Sequence, residues 1–335
     1  MTIYHKIRSK LLRESKCLLR DIRYYLGLDH SFYKNARGSR ILIYHGICKH
    51  DHTRFNPIFL TAKTFEKQLK LFKKHCNIIT LDDYYNKRFS DDKFNICITF
   101  DDGYANNYQY VLPSLEKHNV PATFFVTGIT NEGYDILWND FLGIVSKYGP
   151  EKIIYKTELY YKGAHNQYFS AENHIALKDK LRKGGFVEKA DMMKILYPVV
   201  PFKNDEWNTD YWLQMTKGQI KELAASPYAQ IGAHGYYHND LALINIEDAF
   251  NEMVQVKQYL ETIIEKPVIS IAFPYGSYNQ GIINKAKSAG YTQLLAMDFS
   301  NDADVADQTM RERFTVNPFI SPVNQLYATI TRKYD

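Results

Sequence analysis

The sequence predicts an α/β protein whose parallel strands close into a barrel. Short apolar runs alternate with amphipathic helical stretches from residue 40 onward, and polar residues stand repeatedly just after the apolar runs. The chain's 335 residues suffice for one large barrel with a sizeable core. Hydrophobic residues at 45% and charged residues at 24% exclude a disordered or collagen-like chain.

The first element is a basic amphipathic helix within an arm of residues 1–40. Ile3, Ile7, Leu11, Leu18, Ile22 and Leu26 recur at helical spacing, with Ser15 as the one gap. Lys6, Arg8, Lys10, Arg13, Lys16, Arg20 and Arg23 fill much of the remaining surface, and Gly27 and the polar stretch to Gly38 end the segment. The plain expectation is a helix packing its apolar stripe on the main domain. The second reading is peripheral contact with an anionic membrane. The arm holds ten Lys+Arg against three Asp+Glu, or +7, out of a whole-chain charge of +5. Residues 41–335 keep 32 basic and 34 acidic residues, a net −2, which argues against nucleic acid as a partner. Charges interrupt every candidate signal-peptide core, and no apolar run approaches the roughly 18–20 residues that span a bilayer. Cys17, Cys48, Cys76 and Cys97 show no CxxC spacing and read as reduced thiols. The expected location is cytoplasmic, with peripheral attachment to the inner membrane face as the arm's contribution.

The strand-like runs that follow are 41–44, 96–100, 122–126, 229–233, 268–273, 292–297 and 314–316. Helical patterns lie between them at 64–74, 108–117, 217–225, 248–264 and 281–288. Seven buried-looking strands suit a barrel better than an open sheet. The third and fourth strands are separated by about 100 residues, far beyond an ordinary connection. Residues 131–215 therefore form an insertion over one face of the barrel domain 41–335. It is expected to hold helical pieces, Tyr- and Trp-rich loops and the break Tyr197-Pro198-Val199-Val200-Pro201.

Chemistry gathers where the strands end. The first strand delivers Tyr44-His45-Gly46 and the second Thr99-Phe100-Asp101-Asp102-Gly103. The fourth delivers His234-Gly235-Tyr236-Tyr237-His238 and the fifth Phe273-Pro274-Tyr275-Gly276. In parallel barrels the active site is built on that rim. Asp101-Asp102-Gly103 alone is as easily a turn or a helix cap. His234 and His238 alone have metal-ligand spacing but lack the intervening glutamate of a metalloprotease. Together, two imidazoles and a carboxylate make a common ligand set for a catalytic divalent ion, and a second carboxylate can serve as base toward water. That chemistry is hydrolysis of an amide or ester.

These motifs resemble the polysaccharide deacetylase family, also called carbohydrate esterase family 4. The resemblance runs in order from about residue 40 to about 317 outside the insertion, and includes Pro121-Ala122-Thr123-Phe124-Phe125-Val126 and Ile231-Gly232-Ala233-His234. It implies a distorted (β/α)7 barrel and metal-dependent removal of N-acetyl groups from sugars. By that resemblance Asp101 is the catalytic base, and Asp102, His234 and His238 are ligands of one divalent ion. Zinc is the default, with cobalt, nickel or iron compatible. The Tyr275 N–H would help hold the oxyanion.

Three positions depart from the family pattern. Gly235 stands where Ser or Thr is usual, removing a hydroxyl that would steady the loop. Ala272 stands where an arginine normally orients the base. Arg313, in Arg311-Glu312-Arg313-Phe314-Thr315-Val316, could restore that charge from the last strand, its ordinary reading being a surface ion pair. Finally, no histidine follows His238. This resembles the circularly permuted branch typified by biofilm poly-N-acetylglucosamine deacetylases, in which His45 becomes the general acid. Asp298 is a poor match to the family's acidic fourth motif.

The 27 tyrosines and 19 phenylalanines are mostly core material by expectation. Tyr104, Tyr237, Tyr275 and Trp138 are the candidates for stacking on a sugar. Removal of O-acetyl or other acyl groups, and a glycan-binding barrel that has lost catalysis, remain the rival readings. The partner expected is an N-acetylated glycan or its lipid-linked or nucleotide-linked precursor.

Overall fold

A computed structural model describes residues 3–200 and 206–334. All seven expected strands lie in one sheet, which has nine members. They are β1 (Ser39–Tyr44), β2 (Cys76–Ile79), β3 (Phe94–Phe100), β4 (Ala122–Val126), β5 (Ala229–Ala233), β6 (Ser270–Ala272), β7 (Gln293–Leu295), β8 (Met310–Arg311) and β9 (Phe314–Thr315). The order is β8-β7-β6-β5-β4-β3-β1-β9, with β2 also paired to β3, and every pairing is parallel. All seven residues of β3 are buried, as befits a parallel strand covered on both faces.

The two strands missing from the sequence reading explain the shape. β2 pairs with the first half of β3 (Cys76 opposite Phe94), whereas β4 pairs with its end (Thr99 opposite Thr123). Both therefore sit on one side of β3, a wedge that distorts the barrel. β8 and β9 lie at opposite ends of the sheet order, yet only Glu312 and Arg313 separate them in sequence. The same stretch of chain pairs first with β7 and then with β1, so the sheet curls until one segment holds both its edges. Two-residue pairings give almost no periodicity, which is why β8 was not legible.

Helices cover the outside. The helix Ile246–Ile264 buries Ala249, Met253, Val256 and Leu260, a stripe at spacings of three and four. The pattern at 108–117 becomes a wide turn, Asn107–Val111, followed by the helix Leu112–His118. Pro113 has no N–H to give the turn before it, and the wider turn accommodates that loss.

The insertion differs from expectation. Besides the helices Trp138–Tyr148, Leu177–Arg182 and Phe186–Leu196, it contains an antiparallel sheet of Lys152–Tyr155, Glu158–Lys162 and Tyr168–Ser170. Tyr155, Tyr160 and Tyr168 are strand residues rather than loop residues, and they join Trp138, Phe141 and Met192 in a second hydrophobic core. Pro201 of the expected break lies outside the described residues.

The N-terminal helix, Ile3–Tyr25, forms where its pattern predicts but faces the other way. Its polar side docks: Asn324 Nδ2 donates to the Cys17 carbonyl (3.0 Å) and to Asp21 Oδ1 (2.9 Å), and Arg20 lies 3.6 Å over the Tyr327 ring. The stripe instead faces solvent, with Leu11 60%, Leu18 61% and Leu26 68% exposed. The Ile3 and Ile7 side chains lie outside the described residues. Packing of the stripe on the barrel is thus corrected. Hydrogen bonds with Asn324 and Ser321 and a stacked guanidinium hold the polar face, leaving the apolar one without a cover. No helix among the described residues is long and apolar enough to cross a membrane.

Candidate active site

Strand register assembles the site. Tyr44 pairs with Phe100, so the next residues, His45 and Asp101, leave neighbouring strands side by side. The Asp101 N–H donates to the Tyr44 carbonyl at 3.0 Å, and that of His234 to the Val126 carbonyl at 3.0 Å. Arg313 sits at the break between β8 and β9. Asp298, by contrast, pairs with Arg332 at 3.1 Å on the surface, its side chain 78% exposed. It plays no part in this site, because the chain beyond β7 turns outward.

Asp102, His234 and His238 form the one group among the described residues whose donor atoms could hold a metal ion. Both imidazole Nε2 atoms lie 3.2 Å from the same oxygen, Asp102 Oδ1, and all three residues are buried. His234 Nδ1–H donates to the Ala272 carbonyl at 2.8 Å, which turns the Nε2 lone pair inward. The backbone at the position of the missing arginine thus orients a candidate ligand. His238 has no such bond: its Nδ1 is buried without a hydrogen-bond partner among the described residues. Burial alone would raise the Asp102 carboxyl, but the two imidazoles outweigh it and hold the group well below the usual carboxylate range. Burial likewise opposes charge on both histidines. The carboxylates Asp101 and Asp102 win at His234 and raise it, whereas burial wins at His238, which also feels the charge of Lys189. These residues fit a divalent cation: a buried anion, with two nitrogens converging on one of its oxygens.

Asp101 is clasped by Arg313 through two parallel hydrogen bonds, Nη1 to Oδ1 (2.7 Å) and Nη2 to Oδ2 (2.8 Å). The guanidinium is itself held by Thr99 Oγ1 (3.2 Å) and the Ala296 carbonyl (3.3 Å) and is only 3% exposed, so it is no surface ion pair. Burial would raise Asp101, yet Arg313 and then His234 reverse the balance and lower it. His45 is half-buried at the end of β1, close enough that its charge, when present, favours ionisation of both Asp101 and Asp102.

Three residues of the site have strained backbone. Asp102 (φ 76°), His238 (φ 55°) and Tyr275 (φ 59°) all occupy the left-handed region that non-glycine residues avoid. Gly235 is there too, at φ +70°, and a Cβ on it would meet Pro274 Cγ at 3.2 Å. A Ser or Thr does not suit that conformation. The loop is steadied instead by Glu252, buried in the helix Ile246–Ile264, whose Oε2 accepts the Tyr237 N–H at 3.1 Å. Nothing in the sequence marked Glu252, one acid among several on an amphipathic helix.

The aromatic candidates divide. Tyr104 and Trp138 are both 0% exposed, which corrects their assignment as sugar platforms, since neither ring offers a face to solvent. The Tyr104 hydroxyl donates to Asp140 Oδ2 at 2.8 Å, and Trp138 Nε1–H donates to the His238 carbonyl at 3.0 Å. Tyr237 is half-buried and stacked on Phe186, with centroids 4.2 Å apart. The Tyr275 ring lies 4.8 Å from that of His238, beneath the guanidinium of Arg182. Its hydroxyl is buried with no hydrogen-bond partner among the described residues.

A curled parallel barrel with an Asp-His-His group and an arginine-held carboxylate on its C-terminal rim has the layout of a hydrolase. Sequence comparison gives the family: the polysaccharide deacetylase model matches residues 88–156 and 198–294. The chain belongs to the polysaccharide deacetylase family. A poly-beta-1,6-N-acetyl-D-glucosamine N-deacetylase of Staphylococcus aureus (strain MSSA476) is 35% identical over 77 residues, 22% of this chain. That stretch spans only 27% of the relative's own length. Two solved structures share the fold. Streptococcus pyogenes deacetylase PplD, in complex with acetate, aligns with a TM-score of 0.57 and 18% identity over 87% of this chain and 97% of its own. IcaB from Ammonifex degensii aligns with a TM-score of 0.54 and 16% identity over 88% and 98%.

Replacing Arg313 by glutamine leaves Asp101 buried without its partner, a loss of about 3–5 kcal/mol at neutral pH. The loss should depend on pH. In the native protein Asp101 is held low, so the pair's contribution is present above the ordinary carboxylate pKa and disappears as pH falls through the lower folded value. In Arg313→Gln burial dominates and raises Asp101, so acidification relieves the penalty. Urea unfolding across pH 3–7 should show the gap between the two proteins narrowing toward acid. A gap independent of pH would contradict the assignment.

Proposed function

We propose that the chain is a metal-dependent hydrolase that removes N-acetyl groups from an N-acetylated sugar of a surface polysaccharide or glycoconjugate, or its precursor. The observation that carries this reading is the convergence of His234 and His238 Nε2 on Asp102 Oδ1 beside an Asp101 clasped by arginine. Asp102, His234 and His238 would hold one divalent ion, zinc by preference for two imidazoles and a carboxylate. When bound, such an ion supplies Lewis acidity toward the acetyl carbonyl and the attacking water.

The chain's own residues supply the proton transfers. Asp101, kept ionised and fixed in rotation by Arg313, takes the proton from the attacking water. The Tyr275 N–H, on a backbone already strained into the left-handed region, donates to the developing oxyanion. His45, beside Asp101, gives a proton to the departing sugar nitrogen, so amide and water become amine and acetate. Of the aromatic candidates, Tyr237 and Tyr275 are the two whose partial exposure leaves them available to a sugar.

The membrane reading of the arm belongs to the same proposal. A helix whose leucines face solvent, in an arm of net charge +7, suits an anionic lipid surface. Four free cysteines favour a reducing compartment, so we place the reaction at the cytoplasmic side of the membrane, on a precursor sugar.

Acetate should be released from N-acetylglucosamine oligomers by the zinc-loaded protein and not from O-acetylated sugars assayed beside them. Asp101→Asn should lower the rate by about 10²–10⁴-fold while zinc still binds. Release from O-acetylated sugars alone would transfer the reading to an esterase, and zinc bound without acetate from any glycan would favour a binding protein. Vesicles test the arm. Replacing Leu11, Leu18 and Ile22 by serine should abolish sedimentation with phosphatidylglycerol vesicles, and the native binding should weaken with salt. Equal binding by the triple variant would refute the membrane contact.

A further inference from the structure

His238 is the weakly secured member of the Asp102-His234-His238 group. Metal-binding histidines ordinarily donate their second ring N–H to a fixed acceptor, which sets tautomer and orientation. His234 does so through Ala272, whereas His238 Nδ1 has no partner among the described residues. The backbone of His238 is also in the left-handed region. Something outside the ring must hold it, and the insertion supplies three contacts.

Trp138, at the start of the helix Trp138–Tyr148, donates its indole N–H to the His238 carbonyl at 3.0 Å. Arg182, the last residue of the helix Leu177–Arg182, donates from Nε to the buried Asp240 Oδ2 at 2.6 Å. Its guanidinium lies 4.6 Å over the Tyr275 ring, which in turn packs 4.8 Å from the His238 ring. Lys189, in the helix Phe186–Leu196, is fully buried, and its ammonium bonds the Gly184 carbonyl (2.9 Å) and the Asn239 side-chain oxygen. Burial lowers the Lys189 ammonium to about 8, and its Nζ also lies 4.8 Å over the Trp138 ring. Residues 238, 239 and 240 are thus each gripped by a different helix of the insertion. The segment's other side is tied to the barrel by Glu252, which accepts from the Asn239 amide and the Tyr237 N–H.

We propose that the insertion is a positioning clamp for His238, with Trp138, Arg182 and Lys189 as positioning residues that fix this ligand through its backbone and its two following neighbours. By sequence, residues 131–215 are an insertion over one face of the barrel. The contacts give them a second duty, coupling the insertion's own core to the geometry of the metal group. A buried ammonium inside that core is costly to fold around, and its anchor to Asn239 gives it a purpose that packing does not.

The inference rests on reading Asp102, His234 and His238 as metal ligands, and the experiment separates the two. Zinc affinity is measured by competition with a chromophoric chelator on the full chain. Cobalt-loaded protein is examined by its visible absorption, and unfolding of the metal-free protein is followed in urea. Trp138→Phe keeps the ring and loses only the donor; Lys189→Met keeps the volume and loses the charge. Each should weaken zinc binding by about 10–100-fold and alter the cobalt spectrum. The metal-free unfolding midpoint of Lys189→Met should be unchanged or higher, which a purely structural lysine would not give. Should Trp138→Phe fail to fold, Lys189→Met carries the test. Native affinity and an unaltered cobalt spectrum in both variants would overturn the clamp while leaving the ligand assignment standing. Failure of the native chain to bind zinc would instead remove the ligand assignment itself, and the clamp with it.

Discussion

The pairing of Asp101 with Arg313 is the interaction on which the arrangement of the site depends. A carboxylate and a guanidinium, both buried, are costly to remove from water, and two parallel hydrogen bonds make the geometry good enough to hold them there. The pair also spans the place where the sheet closes. Asp101 follows β3, while Arg313 occupies the break between β8 and β9, so closure of the barrel and orientation of the proposed base are one event. The Thr99 hydroxyl and the Ala296 carbonyl then fix the guanidinium from strands on either side.

Around that pair the site divides into two offices. Asp102, His234 and His238 gather nitrogen and oxygen donors against one point, and Asp101 stands next to them without joining the group. The division is electrostatic as well as spatial. Arg313 favours the ionised form of Asp101, whereas the imidazoles favour that of Asp102, so two adjacent carboxylates can both stay ionised in a buried rim. The insertion and the N-terminal helix lie outside this centre. One grips the 238–240 segment, and the other turns its leucines to solvent.

Much of this was legible in the sequence, for identifiable reasons. Apolar runs such as 96–100 are buried along their whole length and announce themselves. The polar residues at their ends could be collected because a parallel barrel brings those ends together. Arg313 was legible because a missing arginine at Ala272 left a charge to be found. Four features were hidden. β8 is two residues long, and β2 pairs only with half a neighbour. The outward face of the N-terminal helix depends on Asn324 and Tyr327, some 300 residues away in sequence, gripping its polar side. Tyr104 and Trp138 carry rings suited to a sugar, and only tertiary packing reveals that both are sealed and serve through their polar atoms instead.

The central claim is that Arg313 acts through Asp101 and on nothing else. A double-mutant cycle in turnover tests it, comparing acetate release by Asp101→Asn, Arg313→Gln and the double variant at equal zinc occupancy. If the claim holds, each single substitution slows the reaction and the double variant is no slower than Asp101→Asn, because residues acting as a unit are not additive. Independent, multiplicative losses in the double variant would contradict it and require Arg313 to touch the reaction by another route.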